Sequence, residues 1–177
     1  MKRAVLINGV PASGKSTVAR AVADRYGWPL FALDTVKEPF FESMDHVDRA
    51  QNSRFGTAAY KAIFDTIRGF PDPHTIVVEA WFGFRPLELL EEHVARAGIA
   101  KAVELWCHAP PAVVCERYAA RVPLRPAGHP GLAYVPELEV LAASAKPLGI
   151  FPILEIETTG PLDPQAIHHF LGAAGFL

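Results

Sequence analysis

Residues 9–16 read Gly-Val-Pro-Ala-Ser-Gly-Lys-Ser, a complete Gly-x-x-x-x-Gly-Lys-Ser pattern. Glycines let backbone N–H groups close around the β- and γ-phosphates of a nucleotide, the lysine reaches the phosphate oxygens, and the serine hydroxyl ligates Mg²⁺. An apolar run precedes the loop, and a helical pattern follows it, whose positive dipole end adds to a phosphate site. The sequence therefore predicts binding of a nucleoside triphosphate with Mg²⁺ through Gly9, Pro11, Ala12, Ser13, Gly14, Lys15, Ser16 and Thr17.

Asp34 is a candidate general base, because it follows the apolar run Leu30–Leu33. An aspartate after a strand often caps a helix, which is the alternative interpretation. However, Thr35 and Glu38 form a Thr-x-x-Glu capping box, so that Thr35 is expected to cap the helix and leave Asp34 facing a ligand. There Asp34 would accept the proton of an acceptor hydroxyl group and orient its oxygen for attack.

Glu79 is a candidate magnesium residue together with Ser16. It follows the apolar, β-branched run Ile76–Val78, and in that position a carboxylate would hold a Mg²⁺-bound water. Capping of the next turn is the alternative. The aromatic loop that comes next contains Trp81, Phe82 and Arg85, which form either a wall of the acceptor pocket or part of the core.

Arg117, Arg121 and Arg125 are spaced by four residues, which places the first two on one face of a helix. The third lies in a segment rich in Pro and Gly, residues 122–135, that is expected to be a loop. Guanidinium groups carried by a closing lid stabilise a phosphoryl group in transfer, so a lid is predicted at about 115–135. Arg121 is expected on the phosphate, Arg117 on the nucleotide base and Arg125 near the acceptor. A solvated arginine face is the alternative.

The chain alternates predicted strands and helices. Five short apolar runs are expected to be strands, at 4–7, 30–33, 74–79, 102–107 and 152–156. Helices are expected at about 15–26, 35–44, 47–70, 86–97, 110–121, 136–145 and 163–171. This order predicts an α/β fold, a five-stranded parallel sheet with helices on both faces, in a single domain over residues 1–177.

Composition narrows the function classes. The chain has 177 residues, half of them hydrophobic, and a formal net charge of −2, so a nucleic-acid partner is not expected. Its two cysteines are too few for a disulfide framework. No apolar stretch is long enough to predict a membrane span, and we expect a cytoplasmic protein. The seven histidines show no metal-ligand spacing. Neither the acceptor nor the oligomeric state is predicted.

The chain resembles the small P-loop kinases that include chloramphenicol phosphotransferase, gluconate kinase and shikimate kinase. The resemblance rests on the Gly-x₄-Gly-Lys-Ser loop, on Trp28–Thr35, on the lid arginines and on Glu157-Thr158-Thr159. It implies a P-loop three-layer sandwich that uses ATP and Mg²⁺ to phosphorylate a hydroxyl group of an antibiotic-, sugar- or nucleoside-like molecule. It also implies Asp34 as the base, Lys15 and Ser16 at the phosphates, Arg117 and Arg121 in the lid, and Thr158 and Thr159 near the adenine. No second acid follows Asp34 at the spacing of shikimate kinase, which argues against an acceptor of that kind.

Three other functions are weighed against this one. A mechanochemical ATPase subunit would normally need a longer chain, a second helical domain and an arginine supplied by a neighbouring subunit. A regulatory GTPase needs an Asn-Lys-x-Asp motif, which is absent, and the only Asp-x-x-Gly string, residues 24–27, closes the first predicted helix. A polynucleotide 5′-hydroxyl kinase needs a basic surface, which the near-neutral net charge disfavours.

Overall fold

The apolar run before the phosphate loop forms the central strand of the sheet. In the computed structural model, which describes all 177 residues, Ala4, Val5, Leu6 and Ile7 have no exposed surface. Strand β1, Lys2–Asn8, pairs in parallel with one strand on each side. A strand that is covered on both faces needs such a continuous apolar run, which is why no alternation is seen in its sequence.

Five strands and seven helices make up the fold. The sheet has the order β2-β3-β1-β4-β5, and all its neighbours are parallel: β2 Leu30–Ala32, β3 Thr75–Ala80, β4 Ile99–His108 and β5 Ile153–Glu157. The helices are α1 Lys15–Tyr26, α2 Leu33–Glu42, α3 Arg49–Arg68, α4 Leu87–Arg96, α5 Pro111–Arg121, α6 Val135–Ser144 and α7 Pro164–Ala173. None of these helices combines the length and the apolar character that crossing a membrane requires.

Helices cover both faces of the sheet and bury two clusters of apolar side chains. Helices α3 and α4 pack on one face through residues such as Ile63, Phe64 and Leu90. Helices α1 and α7 pack on the other face through Val18, Val22 and the end of the chain. A third, smaller cluster joins α5 and α6 to the phosphate loop. The predicted P-loop three-layer α/β sandwich is therefore confirmed.

The start of α2 differs from the prediction in a way that matters for the site. The helix begins at Leu33, so Asp34 lies in its first turn, and Ala32 occupies the N-cap position without a side-chain cap. The capping box predicted at Thr35 and Glu38 is wrong, because Thr35 is already inside the helix. A complete capping box occurs instead at Asp48, at the start of α3. The expected loop at 122–135 is confirmed apart from two single 3₁₀ turns, Val122–Leu124 and Leu132–Tyr134.

A buried polar network fixes the carboxyl end of β1. The Asn8 side-chain oxygen accepts hydrogen bonds from the backbone N–H groups of Gly9 at 2.9 Å and Phe82 at 3.0 Å. Its amide nitrogen donates to Glu104 at 2.7 Å, and Glu104 also accepts from the N–H of Leu148 at 2.9 Å. Burial raises the pKa of Glu104, which has no exposed surface. One asparagine thus connects the phosphate loop to the loop that follows β3.

Candidate active site

The phosphate loop is wound so tightly that two of its glycines cannot carry a side chain. Gly9 has φ 155°, and an added Cβ would lie 2.3 Å from the Ser13 hydroxyl oxygen. Gly14 has φ 86°, and an added Cβ would lie 2.8 Å from Thr158. No side chain caps the start of α1, so its first N–H groups remain available to an anion.

Lys15, Ser16 and Glu79 converge at the loop. The Ser16 hydroxyl donates to Glu79 Oε1 at 2.8 Å, and the Lys15 ammonium nitrogen lies 3.9 Å from the same oxygen. Glu79 accepts no backbone hydrogen bond, so the capping role considered for it is not observed. A hydroxyl and a carboxylate oxygen side by side are ligands that suit Mg²⁺, and their positions fit a magnesium site at this end of the sheet.

Thr158 holds the phosphate loop through a hydrogen bond to its backbone. Its hydroxyl donates to the Ser13 carbonyl oxygen at 2.8 Å, and Arg117 donates to the Thr158 hydroxyl at 3.0 Å and to its carbonyl oxygen at 2.8 Å. Arg117 therefore ties α5 to the chain that follows β5. Thr159 is exposed and donates to Glu157. Stacking of Arg117 on a nucleotide base and proximity of Thr159 to adenine stay predictions.

Asp34 pairs with two cations, one on its own helix and one in the segment predicted to be a lid. Lys37 lies 2.8 Å from its Oδ1, and Arg125 lies 3.2 Å from its Oδ2. Burial acts to raise the pKa of Asp34, but the charge and hydrogen bond of Lys37, together with the charge of Lys15, outweigh it and hold the pKa well below its usual range. Asp34 makes no capping bond in α2. The structure thus presents an ionised carboxylate to the cavity.

The segment predicted to be a lid lies against α2 and α3. His129 Nε2 is 2.7 Å from Glu38 Oε1, and Asn52 donates to the carbonyl oxygen of Gly128. At the other end of the segment, the Tyr118 hydroxyl donates to the carbonyl oxygen of Pro130 at 2.6 Å. Arg121 lines the cavity and makes no hydrogen bond or ion pair, so its guanidinium group is available to a ligand.

A cavity of about 270 Å³ joins these groups. Lys15, Ser16 and Glu79 line its phosphate end, and Asp34, Arg121 and Arg125 line the middle. Trp81 and Arg85 form part of its wall, and their place in an acceptor pocket stays a prediction. The assignment of Phe82 to that pocket is corrected. Phe82 is 2 % exposed and packs in the core against Tyr60, because its backbone N–H is held by Asn8.

Sequence reasoning missed several residues that line the cavity: Lys37, Arg49, Asn52, Gly56 and Tyr60. Lys37 could have been found, because it follows Asp34 by three residues and so shares its helix face. Gly56 also stands out as a glycine inside a long helical pattern. The others come from α3 and reach the site only through tertiary packing.

Comparisons with known proteins agree with this fold. A family model described as an AAA domain matches residues 5–130. The fold is similar to that of a candidate kinase from Chloroflexus aurantiacus, with a TM-score of 0.84, 24 % identity and 98 % of both chains covered. It is also similar to a sugar kinase from Janibacter sp., with a TM-score of 0.62, 17 % identity and 97 % of this chain and 94 % of that one covered. A gluconokinase from Sinorhizobium meliloti gives a TM-score of 0.60 at 20 % identity, with 98 % and 91 % covered. No curated protein matches the chain in sequence.

Proposed function

Because the chain belongs to the AAA domain family, we propose that it is an ATP-dependent kinase that phosphorylates a hydroxyl group of a small molecule. The observation that carries the proposal is that one cavity contains both the Lys15–Ser16–Glu79 cluster and the ionised carboxylate of Asp34. Phosphoryl transfer needs these two parts, a phosphate cradle and a group that orients the attacking oxygen, within reach of each other. The kinases with similar folds support the same class of reaction.

The phosphate end would bind the nucleotide. Lys15 and the first N–H groups of α1 would hold the β- and γ-phosphates, and Ser16 and Glu79 would hold Mg²⁺. When bound, the metal neutralises charge on the phosphate oxygens. Arg121, which has no partner, is proposed to contact the phosphoryl group as it is transferred.

Asp34 would orient the acceptor. The acceptor oxygen attacks the γ-phosphorus, the bond from that phosphorus to the β–γ bridging oxygen breaks, and ADP leaves. Asp34 would accept the hydroxyl proton as the new P–O bond forms. Its low pKa makes it a weak base, which suits a loose transition state in which the proton leaves late and orientation contributes most. The site belongs to one proposed domain over 1–177, with a lid at about 115–135.

The proposal is tested by substituting Asp34. Asp34→Asn keeps the size of the side chain but removes the charge and the proton acceptor, so kcat should fall by a factor of about 10² to 10⁴. ATP affinity should change little, whereas the melting temperature should fall because Lys37 and Arg125 lose their counter-charge, so turnover is compared at a temperature where both proteins are folded. Asp24→Asn, on the exposed face of α1, is the matched control and should behave as wild type. The slow transfer of the γ-phosphate to water serves as the reaction until an acceptor is known. Near-normal turnover by Asp34→Asn would remove Asp34 from the mechanism and direct attention to Glu79.

A further inference from the structure

The cavity carries more positive charge than a nucleotide would neutralise. Two carboxylates line it, those of Asp34 and Glu79, against five basic side chains, Lys15, Lys37, Arg85, Arg121 and Arg125; a sixth, Arg49, is exposed and has its counter-charge in Glu137. Magnesium-bound ATP brings about two negative charges, which leaves a surplus of positive charge beside the bound nucleotide. Buried and partly buried cations without counter-charges are costly, so the surplus points to a second anionic ligand.

Arg85 and Arg121 are the two cations of the cavity that no protein carboxylate pairs. Lys37 and Arg125 share Asp34, Lys15 lies near Glu79, and Arg49 pairs with Glu137. Arg121 is assigned to the phosphoryl group. The Arg85 guanidinium donates only to the Thr57 hydroxyl at 2.7 Å and lies over the ring of Tyr60, 5.8 Å from its centre. These contacts aim the guanidinium group and leave the rest of its N–H donors free.

Tyr60 adds an unused hydrogen-bond donor beside Arg85. Tyr60 lines the cavity and is 4 % exposed, and its buried hydroxyl group has no hydrogen-bond partner in the protein. Buried polar groups are almost always paired, so an unpaired one in a cavity wall indicates a ligand atom. Burial raises the pKa of Tyr60, which keeps the hydroxyl protonated as a donor.

Gly56 leaves room between Arg85 and the phosphate loop. It lies inside α3, where glycine is less favourable than alanine. Neither its backbone nor its packing requires a glycine, because its φ is not positive and an added Cβ would meet only Lys37, at 4.0 Å. The residue lines the cavity, so the missing side chain creates space for a ligand that crosses the helix.

We infer that the acceptor is an anionic alcohol, a molecule that carries a carboxylate or a phosphate ester as well as the hydroxyl group to be phosphorylated. Its anionic group binds Arg85 and the Tyr60 hydroxyl, its body lies over Gly56, and its hydroxyl group meets Asp34. The inference deepens the proposed kinase function and rests on it. Carboxylate and phosphate groups are both anionic, and both accept paired hydrogen bonds from the Arg85 guanidinium group. An experiment is therefore needed to distinguish them.

The test is a panel of hydroxylated compounds in matched sets. Sugar acids, hydroxy acids and sugar phosphates are each paired with the neutral parent alcohol and, where one exists, the amino derivative. Thermal stabilisation is measured with Mg²⁺ and a non-hydrolysable ATP analogue, and phosphoryl transfer is measured separately with ATP labelled at the γ-phosphate. Wild type is compared with Arg85→Gln, Arg85→Lys, Gly56→Ala and the matched surface control Arg20→Gln.

Anionic members are expected to stabilise the protein and accept phosphate, while their neutral and cationic partners do not. Arg85→Gln should raise KM for the anionic acceptor by about 10- to 100-fold, with Arg85→Lys in between and Arg20→Gln unchanged. Gly56→Ala should raise the melting temperature and yet raise the acceptor KM. Stabilisation and transfer with the sugar acids or hydroxy acids would indicate a carboxylate, and with the sugar phosphates a phosphate ester.

Three results would overturn the inference. They are equal use of neutral and anionic partners, an acceptor KM that Arg85→Gln leaves unchanged, and the absence of any stabilisation that depends on Arg85. Anionic compounds that bind through Arg85 without receiving phosphate would instead remove the kinase proposal and leave the anion site standing.

Discussion

Acidification should weaken the protein through His129, which attaches the lid segment to α2. Its side chain is 3 % exposed and lies 2.7 Å from Glu38. Burial, followed by the charges of Arg125 and Lys37, lowers the pKa of His129 from 6.5 to about 4, and Asp34 only partly opposes this. The histidine is therefore neutral in the native protein, with its Nε2–H donating to the Glu38 carboxylate.

The sign and size of the effect follow from linkage. Below pH 6.5 the unfolded chain takes up a proton on this histidine, whereas the native protein does so only near pH 4. Stability is thus fully present above pH 6.5 and is lost as the pH falls toward 4. Between pH 7.5 and pH 5.0 the loss should be about 2 kcal/mol. Burial and the charge of Asp34 raise the pKa of Glu38 from 4.5, which acts with the opposite sign and offsets part of the loss at the acidic end of this window.

Urea unfolding at pH 7.5, 6.0 and 5.0 measures this effect. His129→Gln keeps a donor for Glu38 but cannot titrate, so its stability should depend less on pH than that of wild type, by about 2 kcal/mol over the same range. His169→Gln, at an exposed position on α7, is the matched control and should keep the wild-type pH dependence. Equal slopes for wild type and His129→Gln would refute the reasoning, because they would mean that His129 is not held neutral.

Three further predictions concern Asn8, Ser16 and Arg121. Asn8→Asp would place a second buried carboxylate at the position that now donates to Glu104 at 2.7 Å, so unfolding at pH 8 should be easier by at least about 3 kcal/mol and the loss should shrink as the pH is lowered. A pH-independent change would argue against that network. Ser16→Ala should weaken binding of ATP more with Mg²⁺ than without it in calorimetry, and equal losses would contradict a magnesium role. Arg121→Lys should lower kcat more than ATP affinity, since a lysine cannot reproduce the guanidinium fork, whereas a loss of affinity at unchanged kcat would place Arg121 on the ground-state nucleotide.

The elements that were predicted well are those whose signals are local. The phosphate loop follows a continuous apolar strand, and α1 runs from Lys15 to Tyr26 as expected because Gly27 takes the left-handed conformation that ends it. Alternation of strands and helices was enough to predict the parallel sheet. The predicted start of α2 was wrong. Thr35 has a capping pattern in the sequence, but Leu33, directly after β2, already adopts helical geometry.

The acceptor end of the site was harder to predict because it is assembled from distant parts of the chain. Asp34 and Arg125 are 91 residues apart, as are Glu38 and His129, and no local pattern reports either pair. The placement of Phe82 was also not predictable from local sequence, although it lies within one short loop. Its two neighbours, Trp81 and Gly83, lie closer to the surface, but the Phe82 backbone N–H donates a hydrogen bond to the Asn8 side chain and the ring turns inward, and that contact exists only in the folded protein.

Single-turnover transfer of the γ-phosphate from ATP tests the central claim most directly. Wild-type protein in excess over labelled ATP is quenched at intervals, and the label is followed into an alcohol of the panel by mass spectrometry, with Lys15→Ala as the comparison. Lys15 lies at the phosphate loop and not in any of the three apolar clusters, so the variant should fold normally. The account predicts transfer by wild type and none by the folded Lys15→Ala protein. Undiminished transfer by that variant would contradict it.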